Sequence, residues 1–140
     1  MLARREFSVA QTRARLIDRE HEVADVDAAI EHLLETGALD DGRVARAYAR
    51  TALKVKGRGR LRIQSELHAM GIPRDVAAEA LAETFGEVDE RSLIVKAIQK
   101  KLRGRPKMAT RAEYARLYQF LVRQGFSPGA VGAVLRARNW

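Results

Sequence analysis

The sequence predicts an all-α protein, an elongated, curved array of tandem three-helix repeats with about eight helices and an incomplete last repeat. Three observations carry this. Apolar residues recur at helical spacing in eight successive stretches, as at Val26, Ala29, Ile30, Leu33 and Leu34. Ala, Leu, Arg, Glu and Lys dominate the composition, and the three prolines, Pro73, Pro106 and Pro128, stand between apolar runs rather than inside them. One pattern also returns. Residues 67–76 read LHAMGIPRDV and residues 121–131 read LVRQGFSPGAV: an apolar helix end, a glycine, Ile or Phe, then a proline-started helix. Residues 16–26 share the plan, with Glu20-His21 where the glycine belongs. Leu16, Leu67 and Leu121 thus mark an internal repeat of about three helices. Such units bury their apolar stripes only against their neighbours.

The elements follow in order. Ser8 and Gln11 have capping-box spacing, so the first helix starts there, with Val9, Leu16 and Ile17 on one face. The second spans about 23–36 and stops at Gly37. Asp40 or Asp41 caps the third, whose inner stripe is Val44, Ala45, Tyr48, Ala52 and Leu53. Gly57 and Gly59 break it. The fourth carries Ile63, Leu67 and Met70 to Gly71. The fifth has Pro73 in its first turn and Val76, Ala80, Leu81, Thr84 and Phe85 inside. The sixth starts near Asp89 and buries Leu93, Ile94, Ala97, Ile98 and Leu102. The seventh runs from Thr110 to Gly125 around Tyr114, Leu117, Tyr118 and Leu121, and the eighth starts at Ser127-Pro128 around Val131, Val134 and Leu135. The repeats are divided as 1–56, 57–104 and 105–140, the last with two helices.

Charge narrows the function. The net charge is +8, but residues 1–53 carry 8 Lys and Arg against 10 Asp and Glu. Residues 54–107 carry 13 against 7, and residues 108–140 carry 5 against 1. The positive field therefore sits on the C-terminal two-thirds and favours an anionic partner: nucleic acid, an acidic protein surface or anionic lipid. Lipid is disfavoured because no helix offers the bulky apolar face that membrane-surface helices need. No apolar run approaches the roughly 20 residues of a membrane span, and the opening residues lack a signal-peptide core. The expectation is a soluble, cytoplasmic protein.

Enzyme chemistry finds little footing. With no cysteine there is no thiol nucleophile and no Cys-based metal site. His21, His32 and His68 lie on different helices without ligand partners at i+3 or i+4. There is no G-x-S-x-G, no P-loop, and no strand before Gly57-x-Gly59. Asp40-Asp41 reads as a helix cap rather than a catalytic pair. Neither enzymatic activity nor a cofactor is expected.

Basic stripes are the candidates instead. Arg43, Arg46, Arg50 and Lys54 line one face of the third helix, and Lys96, Lys100 and Arg103 one face of the sixth. At ~1.5 Å per residue these stripes span about 15 and 10 Å, enough to track several phosphates. Few acids interleave on them, unlike a neutral solvated face. Between the third and fourth helices, Lys56, Arg58, Arg60 and Arg62 join Lys54 in a basic glycine hinge. Arg103, Arg105 and Lys107 lie in RGRPK, which resembles the AT-hook core that enters a narrow minor groove. The plainer reading is a basic linker between repeats.

The stretch LLETGALDDGRVARAYA at 33–49, then KGRGRLRIQSELHAMGI at 56–72 and the opening LARREFS at 2–8, strongly resemble the RecX family, bacterial regulators of the RecA recombinase. The resemblance extends over nearly the whole chain, although RGRPK and a last helix of the third repeat fall outside the pattern. It implies a curved array of three-helix repeats that lodges in the groove of the RecA–DNA filament. There it would restrain ATP hydrolysis, strand exchange and filament growth in recombination and repair, without catalysis of its own. Direct contact with single- or double-stranded DNA is left open by the sequence, and a monomer is expected. Arg43, Lys56, Arg58, Arg60 and Arg62 carry over as binding candidates. A basic helical protein acting on bare DNA is the alternative.

Overall fold

The computed structural model describes residues 6–103 and 110–137. Among the described residues there are eight helices and no strand: α1 Val9–Asp18, α2 Val23–Glu35, α3 Asp41–Lys54, α4 Arg60–Ala69, α5 Arg74–Phe85, α6 Glu90–Leu102, α7 Arg111–Gln124 and α8 Pro128–Ala137. Local chemistry sets their ends. Ser8 closes a full capping box: its hydroxyl accepts the Gln11 N–H at 3.1 Å while the Gln11 side chain accepts the Ser8 N–H at 3.0 Å. Asp40, Asp89 and Thr110 cap α3, α6 and α7 through side-chain oxygens. Pro73 is the N-cap of α5, one step before its expected place in the first turn.

The repeat seen in the sequence is present in the backbone. Gly71 and Gly125 take positive φ, 78° and 109°, beyond α4 and α7. Glu20, which stands where the first copy lacks its glycine, takes the same left-handed conformation at φ 64° beyond α1. The N–H groups of Glu20, Gly71 and Gly125 donate to the carbonyls of Ile17, His68 and Val122, each three residues back. So α1, α4 and α7 hold the same place in successive units.

Packing groups the helices differently from the divisions expected at 56/57 and 104/105. One apolar cluster joins α3, α4 and α5 through Val44, Ala49, Ile63, Leu67, Ala80 and Leu81. A second joins α6, α7 and α8 through Ile94, Ile98, Leu117, Leu121, Val131 and Leu135. A small third cluster holds α1 and α2 through Val26 and Ile30, with Leu39 of the following loop. Each expected division thus runs through a core rather than between cores. The described helices thus share cores as α3–α5 and as α6–α8. In α1, Val9 and Leu16 pack inward, but Ile17 is 47% exposed.

Neighbouring units meet end to end through their equivalent helices. At one junction the start of α4 abuts the end of α7: Gly59 N–H donates to the Gln124 carbonyl at 2.7 Å and Leu61 N–H to the Gly125 carbonyl at 3.0 Å. At the other, the start of α1 abuts the end of α4, where the Ser8 hydroxyl donates to the Met70 carbonyl at 2.5 Å; Val9 N–H donates to Asp41 Oδ1 at the start of α3 at 2.8 Å. At the α4–α7 junction free donors at one helix start meet free acceptors at another helix end, which satisfies both and aligns the two helix dipoles. Helices of 14, 10 and 10 residues, in the order α7, α4, α1, make roughly 50 Å of helix at ~1.5 Å per residue.

Candidate functional site

The basic residues divide into those the fold uses and those it leaves open. On α3, Ala45, Ala49 and Ala52 are buried and Arg46, Arg50 and Lys54 point away from them, exposed. Among the described residues Arg50 and Lys54 make no ion pair; Arg46 Nε lies 4.0 Å from Glu83, a loose surface contact. Arg43 is different. Its guanidinium donates to the Gly37 and Ala38 carbonyls at 2.8 and 3.0 Å and pairs with Glu6 at 2.8 Å, tying the α2–α3 loop to the chain start.

The glycine hinge is a packed joint. Arg58 pairs with Glu66 at 2.5 Å, with side chains 18% and 24% exposed, and reaches the Tyr48 hydroxyl at 3.4 Å. Burial raises the Tyr48 pKa above its ordinary value, reinforced by the hydrogen bond to Glu66 and by the negative charge there, while Arg58 pulls the other way. Arg62 donates to Gln124 Oε1 at 3.1 Å across the α4–α7 junction, and Gln124 Nε2 donates back to the Lys56 and Gly57 carbonyls at 3.5 Å. Lys54, Lys56 and Arg60 are the exposed cations of this run.

On α6, Lys96, Lys100 and Arg103 are exposed, with Arg103 left-handed at φ 48° beyond the helix end. Lys101 stacks its ammonium 4.4 Å from the Phe120 ring centroid. Lys96 and Lys100 follow the buried Ile94 and Ile98 by two residues, whereas Arg46 and Arg50 follow the buried Ala45 and Ala49 by one. Arg46 likewise follows the buried Val44 by two, so both stripes lie on the side of their helix opposite its buried residues. Arg105 and Lys107, and most of RGRPK, lie outside the described residues.

The open set is therefore Arg46, Arg50, Lys54, Lys56, Arg60, Lys96, Lys100 and Arg103; Arg43, Arg58 and Arg62 are engaged within the fold. Sequence reasoning missed Glu66 and Gln124, which disarm Arg58 and Arg62. A glutamate 8 residues from Arg58 across a turn gives no periodic signal, and neither does a glutamine 62 residues from Arg62. Among the described residues no three His, Asp or Glu side chains converge as a metal site, and no helix is long and apolar enough to cross a membrane. What remains is a surface able to hold anions over a long path.

Comparison with known proteins places these units. The profile of the second three-helix domain of RecX matches residues 40–81, and that of the third three-helix domain matches residues 89–135. The regulatory protein RecX of Halorhodospira halophila is 34% identical over 139 residues, which is 99% of this chain and 84% of that protein. The regulatory protein RecX of Vibrio parahaemolyticus is 34% identical over 127 residues, 91% of this chain and 79% of that protein. The crystal structure of RecX from Lactobacillus salivarius superposes with a TM-score of 0.75 at 16% identity, covering 94% of this chain and 84% of that one.

Proposed function

Because this chain belongs to the RecX family, we propose that it regulates RecA by binding along the RecA–DNA filament and restraining ATP hydrolysis, strand exchange and filament extension. The observation that carries this is the long, open set of cations on α3 and α6, held on units joined end to end. A continuous groove suits such an array better than a closed pocket, and filament DNA supplies the negative field. Contacts that bridge neighbouring RecA subunits hold them in one state and slow turnover without touching their catalytic groups. The role is non-enzymatic, needs no cofactor, and belongs to a monomer in the cytoplasm. The repeat units are α3–α5 and α6–α8, with α1–α2 preceding them.

The test is DNA-dependent ATP hydrolysis by RecA with this protein added below equimolar amounts. Inhibition is expected at moderate salt; its absence, with helicity intact, overturns the reading. The unpaired Arg50 and Lys54 also favour a second reading, action on bare DNA. That reading predicts tight duplex binding with a steep salt slope. It loses if RecA-coated DNA is bound well and bare DNA weakly across a salt titration.

A further inference from the structure

The three copies of the α1–α2, α4–α5 and α7–α8 pair differ at one place, the outer groove between their helices. The left-handed residues Glu20, Gly71 and Gly125 fix the correspondence, which matches Gln64 and Ala78 of the α4–α5 pair with Arg13 and Asp27 of the first pair. Arg13 and Asp27 are joined by an ion pair that bridges α1 to α2 across the groove. In the third pair, Tyr114 and Tyr118 stand in the places of Arg60 and Gln64. Both are half-buried, and both pack against the apolar cluster of their unit. Among the described residues nothing closes the groove of the middle pair. Gln64 and Ala78 are exposed, and a cavity of about 330 Å³ lies between α4 and α5.

Its lining is distinctive. Arg60 and Arg74 supply fixed positive charge, Gln64 and His68 supply hydrogen-bonding groups, and Leu61, 49% exposed, stands beside an apolar floor that includes Leu81. None of the ten lining residues carries a carboxylate, although α5 bears Asp75, Glu79 and Glu83 at other positions. Phosphate alone does not call for the exposed leucine and alanines. An acidic peptide with apolar side chains among its carboxylates satisfies both halves of the lining at once.

We infer that the α4–α5 groove is a docking site for an acidic, apolar-punctuated segment of a protein partner, distinct from the cation stripes on α3 and α6. This rests on the reading that the chain acts on a protein filament, and it adds the surface and the chemistry of one contact. The first and third pairs, bridged and filled, have no such role.

The experiment measures fluorescence anisotropy of a labelled twelve-residue peptide of glutamate with leucine at every fourth position, titrated with the full chain. The double variant Arg60→Glu with Arg74→Glu is compared with the parent, since both positions are exposed and fold is checked by circular dichroism. Ala78→Glu serves as a second variant that places a carboxylate in the groove without removing a cation. Both variants are expected to weaken the peptide by about tenfold or more, and both to raise the concentration needed to inhibit RecA. Unchanged peptide affinity in both folded variants overturns the inference. So does an oligodeoxynucleotide of equal charge that binds more tightly than the peptide and loses as much affinity in the variants. Peptide binding that depends on Arg60, Arg74 and Ala78, in a protein that leaves RecA hydrolysis untouched, upholds the groove and overturns the RecA reading instead.

Discussion

Arg58 shows how misleading a charge is when read without its partner. Its guanidinium sits against Glu66, whose second oxygen, Oε1, is buried without a hydrogen-bond partner. Removing Arg58 leaves a largely buried carboxylate without its counter-charge, so Arg58→Ala is expected to lower unfolding free energy by about 1–3 kcal/mol in urea titrations. Arg60→Ala, at an exposed site, is expected to change it by less than about 0.5 kcal/mol. The same cluster gives a pH signature. Tyr48 keeps its proton in the folded chain above the ordinary value of 10.0, where the unfolded chain has begun to lose it. The stability this gives is whole below that value and drains away as pH rises through the raised one. Arg58 lowers the Tyr48 value, so its removal moves the tyrosinate absorbance of Tyr48 to still higher pH, with Tyr48→Phe identifying the signal. An unshifted titration would show that Arg58 and Tyr48 are not coupled. Reversal of Arg58, Arg60 and Arg62 together mixes this structural loss with any loss of binding; Arg60 alone separates them.

Helix by helix, much was legible in the sequence, because caps and stripes are local. Ser8 with Gln11, Asp40, Asp89, Thr110, Gly37 and Gly125 end or start helices where their side chains or φ values dictate. The match of Leu16, Leu67 and Leu121 fixed which helices are equivalent. It did not fix which helix begins a unit, because an apolar stripe does not state its partner: Val44 and Ala49 pair with Ala80 and Leu81 in one core, a contact over 30 residues that no local spacing encodes. The stripes themselves survive as exposed surfaces on two separate helices, and that separation makes a prediction. If both track phosphates, Arg50→Glu with Lys54→Glu and, separately, Lys96→Glu with Lys100→Glu each flatten the salt dependence of filament binding by roughly 2 in log–log slope. A change from only one pair assigns the DNA to that helix and leaves the other face for protein.

At the scale of the whole molecule, the chain's length of reach depends on two backbone joints. A Cβ built on Gly59 falls 2.5 Å from the Gly125 carbonyl carbon, 2.6 Å from its oxygen and 2.7 Å from Phe126 nitrogen. All three are backbone atoms, so no side chain can move aside. Gly59→Val therefore forces α4 away from α7 and breaks the Gly59–Gln124 and Leu61–Gly125 bonds. Gly59 contributes nothing to the apolar clusters of α3–α5 and α6–α8, so each unit keeps its own core while coupling between units is lost. In arrays of this kind stability is nearly a sum of unit and interface terms. Far-ultraviolet helicity is expected to remain close to the parent's and urea unfolding to broaden or split into two transitions; on the proposed filament binding, RecA inhibition is expected to fall by about tenfold, because such a contact needs the units held in register. Gly57 is the control: its φ is 63°, but nothing lies within 4 Å of a built Cβ, and Gly57→Asn tolerates that backbone. It should unfold and inhibit as the parent does. Should Gly59→Val instead unfold in one sharp transition and inhibit fully, the end-to-end joint is a contact without a coupling role, and the array's reach is set by α3–α5 and α6–α8 separately.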